Sequence, residues 1–290
     1  MADGMDTVEQ GLNSTRAQLE TVERELDSWT AKTAEERQSL SMRMTLTLLD
    51  TLYSQILDEA FRHLSPKEKG WEDRRSILHT FLCTAERTST SVIANLLFNS
   101  DYTDVAEILL SDLHAVLYRE HGRVLAYHKS FLDFIFDQDR SGNFWCNRGM
   151  HHRLLADACF RCMKDGLRFN IANIPSSFVF DVDPMLADAV KENIHPVLEY
   201  SCRNWSYHVS AAASIISDGL HDSISEFLQL RALFWIEAMN LLGLRGLCGL
   251  MLRTVHDWVI SSQVCFLFFE YPITHLPRYL GQLVISRRAK

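Results

Sequence analysis

The chain is first defined by what it lacks. No glycine is followed by lysine anywhere in its 290 residues, so the phosphate loop G-x-x-x-x-G-K-[ST] is absent. Without that loop there is no cradle of backbone N–H groups, no phosphate-binding lysine and no magnesium hydroxyl. There is no G-x-S-x-G elbow, and no cysteine and histidine converge as a nucleophile and base. The expectation is a protein that is not an enzyme and uses no cofactor. Glycine and proline are scarce, at 12 and 6, which suits long helices joined by few tight turns. Cations are outnumbered, 29 Lys and Arg against 37 Asp and Glu, for a net charge of −8. That balance argues against a general nucleic-acid binder, which needs a basic face to neutralise phosphates.

Long apolar runs are also missing. Residues 232–255 come nearest, but they carry Glu237, Arg245 and Arg253, and 259–269 is too short to span a bilayer. The first ten residues, MADGMDTVEQ, are acidic and hold no apolar signal core. No membrane contact is expected. The seven cysteines are an odd count without framework spacing, which reads as reduced thiols in a cytoplasmic protein.

What is present is a globular composition: 47% hydrophobic residues, with 16 Phe, 8 Tyr and 6 Trp. Residues 1–44 read as a helical, coiled-coil-like arm. Val8, Leu12, Thr15, Leu19, Val22, Leu26 and Trp29 recur at alternating four- and three-residue steps, a heptad seam. Such a seam either dimerises the chain, through Val8, Leu12, Leu19, Val22 and Leu26, or lays one amphipathic helix on its own domain. Thr33 is placed to cap a second helix. Residues 44–64 then give a broad apolar face through Leu46, Leu48, Leu49, Leu52, Tyr53, Ile56, Leu57 and Phe61.

Residues 45–140 read as this lead-in helix and a winged helix. Three short helices, over residues 67–83, 92–98 and from 102 onward, precede the stretch HAVLYREHGRVLAYHKSFLDFIFD at 114–137. Its pattern is strand (115–118), turn (Glu120, His121, Gly122), strand (124–127) and then a helix. Phe131, Phe134, Ile135 and Phe136 line that helix at helical spacing. A winged helix invites a DNA-binding reading. The third helix, however, carries Asp101, Asp104, Glu107 and Asp112 and no cation.

Tyr127-His128-Lys129-Ser130-Phe131-Leu132-Asp133-Phe134 resembles the H-x-S-F-x-[DE]-F signature that closes the winged helix of NACHT-type (STAND) signalling NTPases. LDTLYSQILDEAF before it, and GLRFNI, YSCRNW and FLQLRALFWIEAMNLLG after it, resemble successive helices of basidiomycete fungal members of that family. The resemblance covers residues 45–260 or so and falls after the NTPase core. It implies a non-catalytic regulatory portion that relays nucleotide state. It implies as partner a P-loop NTPase domain or an intact NACHT relative, in proteins associated with fungal self/non-self recognition. It also implies a role for His128, whose family counterpart points from the winged helix to the bound nucleotide and favours the ADP-closed state. The plainer role for His128 is a cap at a strand–helix junction. The alternative functions are a winged-helix nucleic-acid binder and a helical oligomerisation scaffold.

Residues 141–262 read as a helical domain, with helices over 151–167, 184–192, 196–212, 222–242 and 247–261, and 263–290 as a tail. The fold class is therefore all-α with one small hairpin. Phe178-Val179-Phe180-Asp181 looks like a Walker B strand but has no phosphate loop to serve. Cys159 and Cys162 form a C-x-x-C with His151 and His152 upstream, but they sit inside a helix without a second pair. They read as core thiols, and no metal is expected.

Overall fold

The computed structural model describes residues 3–98, 102–175, 184–213 and 219–270; the side chains of 3–19, 22, 26, 29, 184 and 263–270 lie outside the description. The chain divides into two units, residues 1–55 and 56–290.

Helix α1 (Asp3–Phe61) runs unbroken through 59 residues. From Leu12 to Phe61 there is no glycine or proline to stop it. The helix start expected at Thr33 is not there. Its hydroxyl donates back to the Thr30 carbonyl (2.9 Å), so it serves a preceding turn and does not cap a following one. Almost every described side chain from Glu20 to Leu48 is exposed, Leu40, Met42, Met44 and Leu48 among them. The heptad side chains Val8, Leu12, Leu19, Val22 and Leu26 fall outside the described residues.

In the second unit, α2 (Lys69–Cys83), α3 (Thr90–Phe98) and α4 (Thr103–Asp112) pack on one another, and the Ser89 hydroxyl caps α3 by accepting from the Val92 N–H (3.3 Å). The hairpin follows, β1 (Leu117–Glu120) antiparallel to β2 (Arg123–Ala126), with Glu120 opposite Arg123. The turn is therefore two residues, His121 and Gly122, with φ of 50° and 78°. Positive φ at both positions is the hairpin geometry whose twist matches the strands. Residues 115 and 116 are not strand: the Val116 N–H donates to the Leu113 carbonyl and extends the end of α4.

Beyond the wing come α5 (Lys129–Ile135), α6 (Gln138–Ser141) and a 3-10 turn over Gly142–Phe144. The remaining helices are α7 (Arg148–Gly166), α8 (Pro184–Asn193), α9 (Pro196–Ala211), α10 (Gly219–Leu230), α11 (Ala232–Leu241) and α12 (Cys248–Glu270). Helices α2 and α3 pack against α7, so wing-bearing segment and later helices share one core. Ile77, Leu78, Ile93, Leu109, Phe131, Phe134, Trp205 and Trp235 are almost fully buried in it.

The long helix expected over 222–242 is instead two helices, broken at Arg231, whose φ is −127°. The break lets Phe227 and Trp235, eight residues apart, both meet Trp205, with ring centroids at 4.9 and 5.7 Å. After α11 the Gly243 N–H donates to Asn240 and the Leu244 N–H to Met239, with Gly243 at φ +73°. This left-handed glycine cap satisfies the last carbonyls and ends the helix where the sequence reading places its stop.

Candidate functional site in a buried histidine and cysteine seam

His128 lies at the N-cap of α5, in extended backbone geometry. Its Nδ1 accepts from the Ser130 N–H (3.1 Å) and stands 2.7 Å from the Ser130 hydroxyl. With Nδ1 accepting, the neutral ring carries its proton on Nε2. The residue is exposed. The capping role is thus visible. Tyr127 beside it is 62% exposed and stacks on Tyr118 with centroids 4.6 Å apart.

The densest chemistry is elsewhere, on three segments in the core. Helix α2 carries His79 and Cys83 one turn apart on one face. Cys146 precedes α7, and its N–H donates to the Ile135 carbonyl (2.9 Å). His151 lies in the first turn of α7, where the Asn147 side chain caps by accepting from the Met150 N–H (3.1 Å). All four side chains are buried. One ring nitrogen from each histidine and the Cys146 sulfur lie within 4.8 Å of one another. The Cys83 sulfur is 3.9 Å from that of Cys146.

The tautomers follow from the partners. His79 Nε2 is 3.0 Å from the Phe144 carbonyl, which only accepts, so the proton is on Nε2. His151 Nε2 is 2.9 Å from the Thr80 hydroxyl. That hydroxyl already donates to the Ser76 carbonyl (2.8 Å), so it accepts from His151. Each neutral ring therefore keeps an unprotonated Nδ1. Burial holds them neutral: it pushes His79 down to about 4 against the opposing Phe144 bond, and drives His151 well below its ordinary value. The Cys146 thiol is pushed up by its Cys83 partner and by burial, while Arg75 and Arg148 pull it back.

A second cluster adjoins the first. The Arg148 Nε–H donates to His152 Nε2 (3.4 Å), which leaves the His152 proton on Nδ1, 3.0 Å from His208 Nδ1. The His208 proton then sits on Nε2 and donates to the Tyr200 hydroxyl (2.8 Å), which also accepts from the Ala85 N–H (3.2 Å). This run of donors joins α7 and α9 to the segment after α2. A cavity of about 740 Å³ opens beside the first cluster, lined among others by Arg75, His79, His151, Arg153, Asp157 and Arg161. Burial pushes the Asp157 carboxyl up, with Arg153 and Arg161 opposing.

The sequence reading noticed His151 and His152 but tied them to Cys159 and Cys162. Those two thiols instead bond to the Ser201 hydroxyl, Cys159 fully buried and Cys162 partly so. Among the described residues, the grouping with metal-type ligands in reach is His79, Cys146 and His151. The signal missed was spacing: His79-x3-Cys83 puts two ligand side chains on one helix face, and Cys146-x4-His151 mirrors it at a helix start. The Walker-like Phe178–Asp181 stretch lies outside the described residues. No helix among the described residues is long and apolar enough to cross a membrane. No family model, curated protein or solved structure matches the chain.

Proposed function

We propose that the chain is a non-catalytic regulatory and interaction module of the kind that follows the P-loop core in NACHT-type signalling NTPases. The observation that carries this reading is exposed His128, whose cap through Nδ1 puts the proton of the neutral ring on Nε2, at the junction of wing and helix. A donor held there suits a phosphate oxygen presented by another polypeptide, a charge-assisted bond. Because it forms in one arrangement of wing and core and not in another, it biases a two-state switch.

The charges support a protein partner over nucleic acid. Arg119 of the wing pairs with Glu107, and Lys129 stands 4.0 Å from Asp133. Arg74 pairs with Asp112 (3.2 Å). These cations are engaged with carboxylates, so the wing and α4 offer phosphates little net attraction. The exposed apolar side chains of α1, Leu40, Met42, Met44 and Leu48, give a further contact surface, for homo-oligomers or for a partner helix. The experiment is calorimetry of the chain against an ADP-loaded NACHT-type NTPase core. Association that needs ADP is expected; absence of any association overturns the reading.

A further inference from the structure

We infer that His79, Cys83, Cys146 and His151 form a closed structural site for one divalent zinc-type cation. Two imidazoles and two thiols are a soft donor set of the composition that holds zinc tetrahedrally, or copper(I) less selectively. The donors come in two pairs. His79 and Cys83 share one face of α2, and Cys146 and His151 flank the start of α7.

Three of the four donors are already grouped. Two sulfurs each ~2.3 Å from a tetrahedral zinc stand about 3.8 Å apart; Cys83 and Cys146 stand at 3.9 Å. One nitrogen of each histidine and the Cys146 sulfur lie within 4.8 Å of one another and close by about an ångström to reach bonding geometry, whereas Cys83 stands outside that group, beside Cys146, and joins it by turning about its Cα–Cβ bond. Both imidazoles are already prepared in the way metal-bound histidines are. Each donates its Nε2–H to a protein oxygen, Phe144 O or Thr80 Oγ1, and keeps Nδ1 as the nitrogen with a lone pair.

The charge balance also favours it. Two buried thiols give up their protons on binding, and the resulting thiolates neutralise the dication, so the core gains no net charge. With four protein ligands, all buried, the site leaves no open position for substrate and is therefore structural. The cavity lined by His79 and His151 supplies a path of entry. The ion would pin the helix that begins the winged segment to the helix that begins the later bundle.

The test is metal analysis of the untagged chain purified under reducing conditions, together with titration of the metal-free chain with Co²⁺. One zinc per chain and the visible bands of tetrahedral thiolate-bound Co²⁺ are expected, with two protons released per ion bound. Cys83→Ser and Cys146→Ser should each abolish the bands, whereas Cys202→Ser, a buried thiol elsewhere, should retain them. Thr80→Val removes only the oxygen that orients His151 and should weaken metal affinity about 10–100-fold. A native chain that carries no metal and gives no Co²⁺ bands overturns the site, as does metal retained when both Cys83 and Cys146 are serine. A Cys83–Cys146 disulfide in the freshly purified chain overturns it equally.

Discussion

His152 Nδ1 faces His208 Nδ1 at 3.0 Å in the core between α7 and α9. With the proton on His152 Nδ1 and the lone pair on His208 Nδ1, a second proton on His208 Nδ1 breaks that bond, and one on His152 Nε2 displaces the Arg148 Nε–H. Burial pushes His152 down to about 4 and His208 down to about 3. A histidine whose folded value is depressed takes up its proton in the unfolded chain first. The fold therefore keeps its full stability above pH about 6.5 and loses it as pH falls toward 3. The expected slope for His208 is at most about 1.4 kcal/mol per pH unit. Urea midpoints measured from pH 7 to pH 4.5 should fall, and His208→Gln should lower the slope by close to one proton. A slope unchanged by that substitution would show that His208 does not report on acid lability.

The two central tryptophans should respond differently to the same change. Trp235 Nε1 donates to the Cys202 carbonyl (2.9 Å), whereas buried Trp205 Nε1 has no partner. Replacing either by Phe removes the same volume. At Trp235 it also deletes a hydrogen bond, and at Trp205 it relieves an unsatisfied donor. Trp235→Phe should be more destabilising than Trp205→Phe by about 1–3 kcal/mol in equilibrium denaturation. Equal losses would mean that packing alone decides.

Gly149 is a packing glycine. A Cβ there would stand 2.8 Å from the Ala213 Cβ and 3.1 Å from its backbone nitrogen, and the Ala213 N–H donates to the Gly149 carbonyl (3.1 Å). The obstruction is backbone, which yields poorly. In an open helix Gly→Ala stabilises by roughly 0.5–1 kcal/mol; here it should destabilise by about 1–3 kcal/mol, as overpacking does. A thermal melt of Gly149→Ala decides the sign.

For α1 the expected outcome is concentration-dependent mass in light scattering, lost in Leu19→Asp. A charge in a heptad seam removes an apolar knob and sets like charges together at the contact. A monomeric mass at every concentration would leave the exposed Leu40, Met42, Met44 and Leu48 for a different protein.

How far the sequence led depends on the range of the interaction involved. Helices were legible from the spacing of apolar residues, because that signal is local. The break at Arg231 was not, because Phe227 and Trp235 belong to one helical pattern until Trp205, on another helix, requires both. The turn at His121 and Gly122 was placed a residue too wide, since Glu120 is as acceptable in a strand end as in a loop. The histidine and cysteine seam was hidden for a stronger reason. His79 and His151 are 72 positions apart, and only the packing of α2 on α7 joins them. The local C-x-x-C drew attention to thiols whose partner is a serine.

The regulatory reading rests most directly on ADP held by a NACHT-type NTPase core. The measurement is the affinity of that core for fluorescent ADP, alone and with the chain added, using wild type and His128→Ser. Serine keeps the α5 cap but cannot reach outward as the imidazole does. The native chain should tighten ADP binding by a factor of about 5–150, and His128→Ser should lose that gain at unchanged stability. No tightening, or the same tightening with His128→Ser, would contradict the assignment and leave His128 as a cap alone.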